Sequence, residues 1–135
     1  MIVQQVPLQF VQQVWPRVEA MLAAALKYSA GEYSIDQLRA MVARGQHALL
    51  VATDDQNEIH GAATVAFENH PNQRIAFVTT LGGRLIVCKE LRNQLFEWCR
   101  DQGATRIRGA CRKSAARLFE RMGMKPIYII MDKQL

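Results

Sequence analysis

The stretch from residue 75 to residue 103, IAFVTTLGGRLIVCKELRNQLFEWCRDQG, decides the fold. Ile75 to Thr80 is rich in β-branched and aromatic side chains, the composition of a strand. Leu81-Gly82-Gly83-Arg84 breaks it and leads into a third helix, with Cys88, Leu91, Leu95 and Trp98 at helical spacing on one face and Gly103 at its end. Arg106 to Cys111 then reads as another strand. A strand, a helix and a strand in so short a span make a parallel crossover, right-handed by the general rule.

Working outward, the chain before this unit reads as two helices and a hairpin. Ile2 to Val6 suits a short strand, and Leu8, Val11, Trp15, Val18, Leu22 and Ala25 then recur at steps of three and four. Pro16 must kink that first helix or restart it, because proline lacks a donor and clashes with the preceding turn. Ser34 and Gln37 form a capping box before Ile35, Leu38, Met41 and Val42, and Gly45 ends this second helix. Ala48 to Ala52 and Ile59 to Phe67 flank the turn Asp54-Asp55-Gln56-Asn57 as an antiparallel hairpin, with Glu68 to Asn72 as the next loop. Past Cys111, Ser114 caps a short helix carrying Ala115, Leu118 and Phe119, Gly123 stops it, and Ile127 to Met131 make a last strand. The fold class is mixed α/β: a single domain over residues 1–135, with a central mixed sheet of about six strands and helices on both faces.

Composition supports one globular unit. Of 135 residues, 50% are hydrophobic and 21% charged, which excludes a disordered or low-complexity chain. The apolar run Met21 to Leu26 is too short to span a bilayer, so no membrane association is expected. The opening MIVQQVPLQF lacks a basic start and a continuous apolar segment, and the expected location is cytoplasmic. Cys88, Cys99 and Cys111 form no CxxC pair, and His47, His60 and His70 have no partners at ligand spacing, so no metal site is expected. Residues 84–125 hold eleven basic and four acidic side chains, a local net charge of +7 that predicts an anionic partner.

Gly82 and Gly83 are the most informative chemistry. Two residues without a Cβ at a strand-to-helix junction let backbone N–H groups turn toward an anion, and the following helix adds its N-terminal donors and dipole. Arg84 adds a full charge. A plain Gly-rich turn has the same composition, and neither GxGxxG nor GxxxxGK[ST] is present.

These residues, together with Trp15-Pro16, Leu50-Val51-Ala52 before Asp54-Asp55, Gly103, and Gly109 through Met124, carry a resemblance that covers nearly the whole chain. The chain resembles the GNAT superfamily of acyl-CoA-dependent N-acetyltransferases, and more narrowly the small GNAT-like proteins of tailed phages and prophages. The resemblance implies acetyl-CoA as co-substrate, an amine acceptor, and a strand that splays from its neighbour so that its backbone pairs with the pantetheine arm. Carried over, Val78, Thr79 and Thr80 line the pantetheine, and Gly82, Gly83 and Arg84 hold the pyrophosphate. The family's C-terminal signature, Asn-x-x-Ala-x-x-Leu-Tyr-x-x-x-Gly-Phe, falls on Arg112, Ala115, Leu118, Phe119, Gly123 and Met124, which places Arg112 and Ala115 beside the cofactor. Tyr33, between the first two helices, is the implied substrate contact.

Two departures bear on catalysis. Phe119 stands where many family members have the tyrosine that protonates the departing thiolate, and phenylalanine has no proton to give. The strand Ile75 to Thr80 carries no carboxylate, which leaves Glu68 or His70 as the nearest candidate base. The leading expectation is an N-acetyltransferase acting on an unidentified amine with weak activity. The alternative is a GNAT-fold phage structural, assembly or binding protein without catalysis, with a phage protein as partner and a location in the host cytoplasm or the virion. Nucleic-acid binding ranks last, because no exposed aromatics interleave the basic residues and no known module is present.

Overall fold

The computed structural model describes residues 1–135, organised by one five-stranded sheet. Its strands, in spatial as in chain order, are β1 (Ile2–Gln5), β2 (Ala48–Thr53), β3 (Ile59–His70), β4 (Gln73–Gly83) and β5 (Arg106–Gly109). The first four pair antiparallel, and β5 joins β4 in parallel through α3 (Lys89–Asp101). The period-two alternation of β2 separates two cores. Leu49 and Val51 face α1 (Val11–Leu26) and α2 (Ile35–Ala43), whereas Leu50 lies with Ala63, Val65 and Ala76 against Leu95 and Cys99 of α3. A short α4 (Ala116–Glu120) follows β5. No helix is long and apolar enough to cross a membrane.

The spacing of the α1 face is realised directly: Val11, Trp15, Val18 and Leu22 are its buried residues. The helix runs unbroken through Pro16, its sixth residue, which lies on the exposed side where the freed carbonyl can be hydrated. At α2 the Ser34 hydroxyl accepts from the Gln37 amide at 3.2 Å, and the Gln37 side chain accepts from the Ser34 amide at 2.8 Å. Such a cap is worth about 0.5 to 2 kcal/mol.

The structure departs from the sequence expectations elsewhere too: β3 runs through Glu68 to His70 where a loop was expected, and β5 ends at Gly109, short of Cys111. The strand Ile75 to Thr80 does not end at the glycines: Gly82 and Gly83 are the last rungs of β4, opposite Ala62 and Gly61. The third helix does not begin after Arg84. The Arg84 amide donates to the His60 carbonyl at 2.9 Å and Leu85 turns into the core, so helical geometry starts only at Lys89, and Cys88 caps the helix instead of lying on its face. Ser114 falls inside a 3-10 turn, Lys113–Ala115, and the residue preceding α4 is Ala115. Ile127 to Met131 form no strand, because no strand of this sheet is beside them, and the sheet has five strands.

Candidate active site

The central feature is the point at which the pairing between two parallel strands ends. β4 and β5 pair from Ile75–Arg106 to Val78–Gly109, and there the ladder stops. β4 continues for five more residues to Gly83, held by β3 on one side only. A bulge sits at the same place: Thr64 pairs with Thr80 and Val65 with Val78, so Thr79 is the extra residue. A bulge kinks a strand and increases its twist. Residues 79–83 of β4 have no strand partner on the β5 side.

Beyond this edge lies a run of free donors. The amides of Ile86 and Val87 donate to no protein acceptor, and those of Lys89, Glu90 and Leu91 have no partner within the helix, whereas Leu85 is fully buried against Gly61. Lys89, Glu90 and Arg92 stand in the first turn of α3, and the Arg92 guanidinium reaches the Ile86 carbonyl at 3.5 Å. This segment can hold a phosphate group by backbone amides, helix dipole and charge together. Gly82 and Gly83 are themselves closely packed: a Cβ on Gly82 would lie 2.6 Å from Met21 Cγ, and one on Gly83, at φ +68°, 2.5 Å from the His60 carbonyl oxygen. The Arg84 side chain remains exposed beside the loop. The signal that could have located these donors is Leu85-Ile86-Val87 itself, an apolar run bounded by Gly83 and Lys89.

On the α1/α2 side of the bulge the sheet buries a polar cluster. Thr79 Oγ1 donates to the Thr64 carbonyl at 3.1 Å and lies 2.7 Å from Thr64 Oγ1, which in turn meets Thr80 Oγ1. His47 Nδ1 is 2.9 Å from Thr79 Oγ1, and the Tyr33 ring stands edge-on to the imidazole with centroids 5.7 Å apart. Thr79 Oγ1 thus lies within hydrogen-bond reach of the Thr64 carbonyl, the Thr64 hydroxyl and His47 Nδ1, and its single proton is shared among them. His47 is 5% exposed, and burial lowers its pKa, which favours the neutral ring. Burial raises the pKa of Tyr33, against the hydrogen bond from Thr79. Tyr33 is thus beside the bulge. His47, read from sequence as an ordinary surface or strand histidine, is brought there by the sheet.

Other candidate residues lie apart. Glu68 pairs with Ile75 and His70 with Gln73 at the far end of the β3–β4 hairpin, roughly 13 to 20 Å along β4 from Thr79 at 3.3 Å per residue. The two lie 3.5 Å from each other, exposed, and neither is brought to the bulge. Arg112 stacks its guanidinium on the Tyr28 ring at 3.7 Å, tying the segment after β5 to the end of α1. Ala115 and Phe119 are half-buried, and neither joins either core. Burial drives the Cys99 thiol to about 11, so it is an inert core thiol.

No protein-family model and no curated protein sequence matches the chain. Solved structures do. A probable acetyltransferase superposes with a TM-score of 0.70 at 16% identity, over 100% of this chain and 97% of its own. The ribosomal-protein-alanine N-acetyltransferase of Brucella melitensis biovar Abortus 2308 gives a TM-score of 0.71 at 11% identity, with both chains fully covered. Glucosamine-6-phosphate N-acetyltransferase from Arabidopsis thaliana gives 0.62 at 14% identity, over 98% of this chain and 96% of its own. At these identities the likeness is one of fold, shared with these acetyltransferases.

Proposed function

We propose that this chain binds acetyl-CoA and transfers the acetyl group to a primary amine. In this reading the pantetheine arm follows the open edge of β4 at Val78, Thr79 and Thr80 toward Gly82 and Gly83. The pyrophosphate lies on the amides of residues 86 and 87 and the start of α3, with Arg84 beside it, and Arg112 and Ala115 border the cleft beyond β5. The observation that carries the proposal is the ladder that stops at Val78–Gly109 while β4 runs on to Gly83.

The acetyl thioester supplies an activated acyl carbon. The chain must seat the amine over the bulge and take its proton, since only a neutral amine attacks. His47 is suited to accept that proton, being neutral, buried and fixed through Nδ1 by Thr79, with Tyr33 at its side. The new C–N bond replaces the C–S bond, and CoA leaves as the thiolate. Phe119 cannot protonate that thiolate, so turnover is expected to be slow, by roughly a hundred- to ten-thousand-fold for a missing general acid. The same residue favours the second reading, a non-catalytic GNAT-fold protein of phage type that retains the cleft for binding or assembly.

Calorimetric titration with acetyl-CoA and assays on polyamines and N-terminal peptides test both readings. Binding should raise the melting temperature, with about 2.7 kcal/mol of added stability at one hundred times Kd. Val87 is exposed, so Val87→Glu should leave the fold intact and, by placing a carboxylate among the phosphate donors, weaken acetyl-CoA at least about tenfold. No binding at millimolar acetyl-CoA sinks the proposal. Binding without turnover on any amine selects the second reading.

A further inference from the structure

Arg74 is held in place by three groups, none of them anionic. Its guanidinium lies over the Phe67 ring at 4.3 Å, Nε donates to the Gln102 carbonyl at 3.0 Å, and Nη1 donates to Asn69 Oδ1 at 2.8 Å. Nη2 has no acceptor, and the side chain makes no ion pair.

The cavity that Arg74 borders follows from unequal strand lengths. β2 starts at Ala48, opposite Val65, whereas β3 runs on to His70. From Ala66 onward β3 therefore has β4 on one side and no strand on the other. The corner beyond the start of β2 is a cavity of about 230 Å³, walled by Leu8, Val42, His47, Phe67 and Trp98 together with Arg74. Phe67 and Trp98 are half-buried, with ring centroids 5.8 Å apart. Sites for drug-sized molecules span about 300 to 1,000 Å³, so this one fits a smaller molecule. An aromatic and aliphatic wall beside one preorganised guanidinium matches a flat apolar ring that carries one carboxylate.

We propose that this cavity binds a small aromatic carboxylate, its ring against Leu8, Phe67 and Trp98 and its carboxylate on Arg74. The cavity lies on the β2 side of β3, with β4 and its unpaired residues 79–83 on the other side. The proposal is independent of the acetyl-CoA reading.

Benzoate is the probe, read by tryptophan emission on the full chain, with circular dichroism for the fold of each variant. Trp15 is fully buried and does not border the cavity, so a saturable change in emission reports Trp98, and Trp98→Phe should remove it. The titration should saturate with a Kd of about 1 mM or tighter. Benzamide, of similar shape without the charge, should bind at least about tenfold more weakly, and Arg74→Gln should weaken benzoate by a similar factor. Arg74 also ties β4 to the end of α3, so Leu8→Glu is the second variant. Leu8 is 54% exposed, which leaves the fold intact, and a carboxylate there should repel benzoate. The proposal is overturned by no saturable change up to about 10 mM benzoate, or by an emission change that survives in Trp98→Phe. Equal affinity for benzamide, or unchanged benzoate affinity in Leu8→Glu or in a folded Arg74→Gln, overturns it as well.

Discussion

Residues 6–99 and residues 100–135 are built on different terms. Every buried residue lies in the first stretch, from Val6 to Cys99, and the second contributes none. The second holds nine basic residues against three acidic ones, along with the exposed apolar run from Ile127. Burial of a large aliphatic or aromatic side chain is worth about 1.5 to 3 kcal/mol, and a segment that buries nothing gains none of it. The first stretch therefore holds itself together, whereas the second contributes no buried side chain to either core.

The largest effect separates the two stretches by stability. Trp15 is fully buried among Val11, Val18, Leu38 and Leu49, so Trp15→Ala should cost about 3 to 5 kcal/mol in urea unfolding. Its indole N–H has no hydrogen-bond partner, so Trp15→Phe forfeits no bond and costs clearly less. Phe119→Ala, in the other stretch, should cost about 1 kcal/mol or less. A Phe119→Ala penalty equal to that of Trp15→Ala would erase the distinction.

The next effect falls on the boundary between fold and site. If Gly83 were a bare phosphate cradle, Gly83→Val would abolish binding and spare the fold. The close approach of the His60 carbonyl and Met21, with φ at +68°, instead predicts a loss of about 1 to 3 kcal/mol of stability before any ligand is added. An unchanged melting temperature for this variant would return the anion site to the glycines.

What could be read in advance follows the same division. The buried stripe of α1, the Ser34 capping box and the β2–β3 hairpin rest on residues within a few positions of each other, so local spacing discloses them. Gly82 and Gly83 looked like a strand break because the reasons for them, Met21 and Gly61, lie far away in sequence. His47 had no local mark either: Thr79, its partner, is 32 residues on, and only the sheet brings the two together. The run Ile127 to Met131 has a strand's composition, but a strand also needs a neighbour to pair with, and the five-stranded sheet supplies none there.

The last and smallest effect tests whether His47 belongs to the self-sufficient stretch. Burial lowers its pKa below the ordinary 6.5, so the unfolded chain takes up a proton at a pH where the folded chain still resists it. Stability therefore rises with pH across that window: it is full above about pH 6.5 and falls as the solution is acidified toward the lower folded value. His47→Gln removes the titrating group, so its urea midpoint should change less than that of the natural protein between about pH 7.5 and pH 5.5. Asp54 acts in a separate, lower range, since the hydrogen bond from His60 and then the Glu58 amide hold its carboxyl below the usual carboxylate value. Activity gives a second readout. If His47 takes the amine proton, the acid limb of the rate profile should vanish in His47→Gln while acetyl-CoA affinity stays constant. An acid limb that survives with the same midpoint would leave His47 as part of the packing at the bulge and assign the proton to another acceptor.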